Sequence, residues 1–129
     1  MSNILLVEDD AIIREMMSRR LEWEGYDVIA APNGARAVAL SQSEDVDLIL
    51  MDMGLPVMDG WEATQRIKNT PETCAIPIIA LTAYALMEDQ TKCTAAGCDD
   101  FETKPVNFAR LLAKMQGLLS KATRSRVQS

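Results

Sequence analysis

Histidine is absent from the 129 residues, and no other gap in the composition removes as much chemistry. Every His-dependent nucleophile scheme is closed to the chain, and it cannot itself carry a phosphohistidine. The three cysteines, Cys74, Cys93 and Cys98, are odd in number and lack metal-ligand spacing, so without histidine no zinc site is expected. They read as the reduced thiols of a cytoplasmic protein. No apolar run approaches the roughly 20 residues of a membrane span, so no membrane partner is expected. Met1-Ser2-Asn3 leads directly into a short apolar segment, without the charged n-region of a signal peptide. An excess of positive charge is also missing. The net charge is −6, which argues against nucleic acid or an anionic membrane as a partner of the protein body. The basic residues Lys121, Arg124 and Arg126 fall on the segment 121–129, which reads as a short, solvated polar tail. Internal repeats, low-complexity stretches and interdomain linkers are lacking as well.

What is present suits one globular domain: 48% of residues are hydrophobic and 25% charged, over a length sufficient for a single core. Short apolar runs alternate with amphipathic segments. Ile4-Leu5-Leu6-Val7 predicts a buried strand, and residues 10–23 then take a helical period with Ile13, Met17 and Leu21 on one face. Gly25 ends that helix, and residues 26–30 give a second strand. Asn33 suits an N-cap for a helix carrying Ala37, Val38 and Leu40. Residues 47–51 make a third strand, and Asp59 with Glu62 forms a capping arrangement opening a helix over 60–68. Pro71 breaks the chain, and a fourth strand begins at 77–81. A helix of thin apolar character (Leu86, Cys93, Ala96) follows over 85–96, with Gly97 as its stop. A short strand at 99–103 precedes a last helix, capped by Asn107, with Phe108, Leu111, Leu112, Met115, Leu118 and Leu119 on its apolar face. Trp23 and Trp61 are expected to be partly buried, and Met51, Met53 and Met58 to serve in packing. Five β–α units without hairpin signals predict an α/β fold, a doubly wound five-stranded parallel sheet with five helices.

In such a sheet, ligands bind beyond the carboxyl ends of the strands. There the chain places Glu8-Asp9-Asp10, then Asp52 at the end of the apolar run Leu48-Ile49-Leu50-Met51, then Thr82-Ala83, and finally Lys104. Clustered carboxylates repel one another, and a divalent cation relieves the repulsion. An all-oxygen site with open positions suits Mg²⁺. Glu8 and Asp9 are expected at its floor, with Asp52 and the backbone carbonyl of Gly54 as further ligands; Asp10 is left as a cap or surface residue. Lys104 can pair with Asp52 or with a phosphoryl oxygen. Thr82 offers a hydroxyl, and Ala83 is small enough to leave an approach open. A carboxylate nucleophile between Mg²⁺ and an ammonium is equipment for phosphoryl transfer, with Asp52 forming an aspartyl phosphate.

Val7-Glu8-Asp9-Asp10, Leu50-Met51-Asp52-Met53-Gly54-Leu55-Pro56-Val57-Met58-Asp59-Gly60, Leu81-Thr82-Ala83 and Phe101-Glu102-Thr103-Lys104-Pro105, in this order, resemble the response-regulator receiver domain of two-component systems. The resemblance is to the stand-alone, single-domain type and covers nearly the whole chain, with the domain taken as residues 1–120 and no output domain after it. It implies the flavodoxin-like strand order 2-1-3-4-5, with Asp52 as phosphoacceptor. It also implies Glu8, Asp9, Asp52 and Gly54 around Mg²⁺, and Thr82 and Lys104 as the switch hydroxyl and the lysine of the site. Glu8 stands where many members have Asp. Phe101 falls at a switch aromatic, and Tyr84, two past Thr82, at a position affecting access to the phosphoryl group. The implied partners are a histidine kinase or histidine phosphotransfer protein as donor, and a downstream protein at the face of the fourth helix, fifth strand and fifth helix. The protein would be a monomer or a phosphorylation-dependent homodimer, and not an enzyme acting on a separate substrate.

Three other functions fit less well. A haloacid-dehalogenase-type phosphatase needs a second acid two residues past the nucleophile, where this chain has Gly54. A flavin carrier needs a phosphate-binding loop after the first strand, where this chain has acids. A degenerate receiver, acting only as an unphosphorylated interaction module, would lack part of the site, and no expected group is missing.

Overall fold

The computed structural model describes residues 2–55, 58–83 and 87–128, without the side chains of 87–90, 93 and 122–128. The expectations for Pro56, Val57, Tyr84, Leu86 and the Cys93 side chain lie outside the described residues. Strands and helices alternate strictly: β1 (Asn3–Val7), α1 (Ala11–Trp23), β2 (Asp27–Ala31), α2 (Gly34–Ser43), β3 (Leu48–Asp52), α3 (Gly60–Lys68), β4 (Ile78–Thr82), α4 (Met87–Ala96), β5 (Asp100–Thr103) and α5 (Phe108–Gln128). All pairings are parallel, in the order β2-β1-β3-β4-β5. This is the doubly wound α/β fold predicted, with its order.

The period of two in each strand builds two cores. Leu5, Val7, Ile49, Met51, Ile78 and Ala80 face Ala37 and Leu40 of α2 and Ala63 and Ile67 of α3. Ile4, Leu6, Leu48, Leu50, Ile79 and Leu81 face Met17 and Leu21 of α1 and Leu111 and Met115 of α5. Burying each large aliphatic side chain contributes about 1.5–3 kcal/mol. Four expected caps are in place. Asp10 accepts from the Ile12 and Ile13 amides at 2.9 and 3.1 Å, Asn33 from Arg36 at 2.8 Å, and Asp59 from Glu62 at 2.9 Å. Asn107 accepts from Arg110 at 3.1 Å at the head of α5. Gly25, at φ 97°, turns the chain out of α1.

Several expectations need correcting. Trp23 is 85% exposed rather than partly buried, because at helical spacing it falls on the face of α1 opposite the buried Met17 and Leu21. Ile13 does not stack into the core with Met17 and Leu21; one turn nearer the rim, it stands at the mouth of a cleft. α5 continues to Gln128, so residues 121–128 prolong a helix instead of trailing as a frayed end; Lys, Ala and Arg there are good helix formers and no proline intervenes.

Candidate functional site

The ladder does not stop where the strands end. Glu8 donates its amide to Ala31 O at 3.1 Å, Met53 to Leu81 O at 3.0 Å, and Lys104 to Thr82 O at 2.8 Å. Each residue just past a strand end is therefore held in register by its neighbour, and the functional groups inherit the sheet's rigidity. Register sets Thr82 beside Thr103 and Asp52 beside Leu81. Glu8, Asp52 and Lys104 so arrive on one rim from residues that are tens of positions apart. α3 closes the far side tightly: a β-carbon on Gly60 would lie 2.4 Å from Asp52 O and 2.7 Å from Met53 Cα.

The result is a cleft of about 450 Å³, lined on its polar side by Glu8, Asp9, Asp52, Gly54, Thr82 and Lys104. Ala83 and Asp10 also border it. All seven residues expected around the phosphoacceptor and metal are therefore brought together. One carboxylate oxygen each of Glu8, Asp9 and Asp52 lies within 4.8 Å of the others. Glu8 and Asp52 are nearly fully buried, at 1% and 4% exposure, while Asp9 is exposed at the mouth. Lys104 Nζ spans the buried pair, 3.0 Å from Asp52 Oδ1 and 3.2 Å from Glu8 Oε2. Asp52 Oδ1 also accepts the Gly54 amide at 3.0 Å, and Glu8 Oε1 the Asp10 amide at 3.3 Å.

These surroundings shift both ends of the bridge. Burial raises the Glu8 carboxyl above its ordinary value and the Asp52 charge adds to the effect; Lys104 and the Asp10 amide oppose without cancelling it. Burial alone would lower Lys104, but its hydrogen bond and charge interaction with Asp52, joined by Glu8, raise it overall. An all-oxygen donor set carrying more negative charge than its one ammonium balances has the chemistry to hold Mg²⁺, through Glu8, Asp9 and Asp52.

Phe101 is not part of the cleft. It sits on β5, half-buried against the core on the α2–α3 face. Sequence reasoning missed four residues near the site. Ile13, Met53 and Trp61 form its apolar lining. Arg14 donates to Glu8 O at 2.8 Å, tying α1 to the β1 end. For Trp61 the signal was available, since it follows the Gly60 that sets α3 against Asp52. Arg14 lies six residues past its acceptor, across the turn from β1 into α1, a separation that leaves no periodic trace in the sequence.

The family profile of the response regulator receiver domain matches residues 4–116. The chain belongs to the receiver family. It is a receiver of two-component signalling, with relatives of single-domain length. The receiver is 36% identical over 96% of its length to the DNA-binding dual master transcriptional regulator RpaA of Synechocystis, and 44% identical over 96% to a cyclic di-GMP phosphodiesterase of Thermotoga maritima. It spans only 52% and 32% of those two proteins. It spans 98% of the polar-differentiation response regulator DivK of Brucella anthropi, at 32% identity over 93% of its own length. Among solved structures, it superposes with a TM-score of 0.85 on the receiver domain of a sensor histidine kinase of Pseudomonas aeruginosa PAO1, which holds a magnesium ion in its active-site cleft; identity is 38%, with 92% of the receiver and 98% of that chain covered. A Saccharomyces cerevisiae receiver domain, crystallised with the histidine phosphotransfer protein upstream of it, gives 0.82 at 32% identity, covering 88% and 85%. Among the described residues, no helix is long and apolar enough to cross a membrane.

Proposed function

We propose that this receiver, over residues 1–120, accepts a phosphoryl group on Asp52 from a phosphohistidine of a histidine kinase or histidine phosphotransfer protein. The observation that carries the reading is the set of three carboxylates within 4.8 Å of one another, with Lys104 3.0 Å from Asp52. An Asp52 oxygen attacks phosphorus, the donor's P–N bond breaks, and the imidazole leaves with the bonding electrons and takes up a proton. Lys104 faces the oxygens on which charge accumulates, and catalysis by positioning and charge neutralisation is the usual pattern for this transfer. Glu8, Asp9 and Asp52, with the Gly54 carbonyl, would hold Mg²⁺, whose charge would offset that of the incoming group; the magnesium ion in the Pseudomonas relative supports this. Thr82 and Ala83 both line the cleft; the Thr82 hydroxyl would meet a phosphoryl oxygen, and the small Ala83 would keep the approach open.

The new charge draws Thr82 inward and Phe101 repacks, with Tyr84 tuning access to the phosphoryl group. The change is a two-state shift biased by the contacts the phosphoryl group makes. A downstream protein then recognises the face of α4, β5 and α5, and a phosphorylation-dependent homodimer is the alternative use of that face. The chain works in the cytoplasm and promotes only its own phosphorylation and dephosphorylation.

The deciding experiment exposes the receiver to acetyl phosphate with and without Mg²⁺ and follows its mass. The wild type gains one hydroxylamine-labile phosphoryl group only with the metal, and Asp52→Asn gains none. A labelled Asp52→Asn protein would place the acceptor elsewhere.

A further inference from the structure

Glu102 is an acid whose partner across the sheet is apolar. It lies on β5, opposite Leu81 in the sheet register, and is 3% exposed. Two cations on α5 reach it: Arg110 Nη2 stands 2.9 Å from Oε1, and Lys114 Nζ 3.1 Å from Oε2. Lys114 does more than neutralise it. The same ammonium donates to the Phe101 carbonyl, lies 5.3 Å above the centre of the Phe101 ring, and stands 3.7 Å from Asp100 Oδ1. Asp100 Oδ1 in turn accepts the Phe101 amide at 2.8 Å. Phe101 is thus held at its amide, its carbonyl and its ring face, and Lys114 supplies two of those three contacts.

Stability alone does not account for such a cluster. Only Glu102 is enclosed; Arg110 is 60% and Lys114 27% exposed, and ion pairs with exposed partners add little to stability. An aliphatic residue at 102 would continue the core that Ile79 and Leu81 build next to α5. What the charges add is a fixed geometry between β5, α5 and one aromatic ring. We propose that Lys114 is a positioning residue for Phe101: anchored on Glu102, it holds the ring in its unphosphorylated placement and so sets how strongly a phosphoryl group at Asp52 must bias the molecule before the β5–α5 face changes. This assignment rests on the phosphoacceptor reading above and adds the residue that regulates its output.

Two coupled sites act on each other reciprocally. If Lys114 favours the resting placement of Phe101, its loss must tighten binding of a phosphoryl mimic at Asp52. The test uses the full chain with beryllofluoride and Mg²⁺ as the probe, and 4-fluorophenylalanine in place of Phe101 and Phe108, the second resonance being assigned with Phe108→Leu. In wild type, the Phe101 fluorine signal moves on binding. In Lys114→Met, the free protein's signal already lies part-way toward the bound position, and beryllofluoride binds roughly five-fold more tightly, at the lower end of typical coupling. Lys114→Arg, which keeps the cation over the ring, returns both readouts toward wild type. A wild-type fluorine position together with unchanged affinity in Lys114→Met would overturn the proposal. Should that variant fail to fold, Lys114→Gln retains a donor for the carbonyl, removes the charge over the ring and carries the same two expectations. Beryllofluoride binding that persists in Asp52→Asn, or that is absent from wild type, would instead overturn the phosphoacceptor reading.

Discussion

Glu8 and Asp52 are both enclosed, and both lean on the single ammonium of Lys104. One negative charge in the buried part of the cleft is therefore left over, before Asp9 is added at the mouth. This explains why the Glu8 carboxyl is raised, by burial first and by Asp52 second. The sign of the linkage follows. The unfolded chain ionises Glu8 near its ordinary value of 4.5, and the folded chain ionises it only at higher pH. Folding stability therefore falls as pH rises through that interval, and above it the ionised Glu8 burdens the metal-free fold. Glu8→Gln leaves Asp52 and Lys104 as a matched pair. In EDTA at neutral pH it should be more stable than wild type by about 1 kcal/mol, the low end of what relieving a buried charge yields. The advantage should vanish when the medium is acid enough to protonate Glu8 in both states. Urea denaturation at both pH values checks this, and a less stable variant at neutral pH would mean the Glu8–Lys104 bridge outweighs the repulsion. With Mg²⁺ added the order should reverse, because only the wild type keeps all three carboxylates.

Among the elements, α3 matters most to the cleft, since its first residue touches the backbone that carries Asp52. The carbonyl of Asp52 and the Cα of Met53 leave no room for a side chain at Gly60. Gly60→Ala must push α3 away from the β3 end, and overpacking of this kind typically costs about 1–3 kcal/mol. The displacement should also weaken Mg²⁺ binding, because Asp52 moves with the strand end; a metal titration equal to wild type would separate α3 from the site. The element pattern itself was largely legible in the sequence. Buried parallel strands announce themselves as unbroken apolar runs such as Leu48-Ile49-Leu50-Met51, and Asp10, Asn33, Asp59 and Asn107 cap at the positions their spacing indicates. The cleft was legible because parallel strands bring Glu8, Asp52, Thr82 and Lys104 to one rim whatever their separation in the chain. Less legible was whatever depends on how one element packs against another. Trp23 looked like a packing residue, yet it projects into solvent. Glu102 drew no separate reading in the sequence, and only the placement of α5 reveals that Arg110 and Lys114 converge on it. Pairings across two elements leave no periodic trace in a single sequence.

For the molecule as a whole, the two ends of the sheet respond to different chemistry, and alkaline pH distinguishes them. Asp27 pairs with Asn3 at the start of β1, so Tyr26, just before it, sits at the opposite end of the sheet from Glu8 and Lys104. Tyr26 packs against the α1–α5 core, and burial raises its phenol above 10.0, with the Glu24 charge adding to the effect. The unfolded chain therefore gives up this proton first. Stability is unaffected by Tyr26 below its ordinary value and falls as pH rises from there through the raised one, with a slope of at most about 1.4 kcal/mol per pH unit for one proton. Lys104 acts in the same range for a different reason. Burial would lower it, but Asp52 and then Glu8 raise it above 10.5, so the stability of the bridge is complete below that value and is lost as pH climbs through the raised one. Two groups thus steepen the alkaline limb, one at each end of the sheet. Tyr26→Phe keeps the ring in the core and removes only its proton. Between about pH 8 and pH 11, its stability should fall less steeply than that of wild type, with the remaining slope coming from Lys104. Urea midpoints measured across that range decide the matter: curves that decline in parallel would show that the phenol ionises alike in the folded and unfolded chain. Adding Mg²⁺ should leave the difference between the two proteins unchanged, because the metal acts at the far rim, where Tyr26 makes no contact.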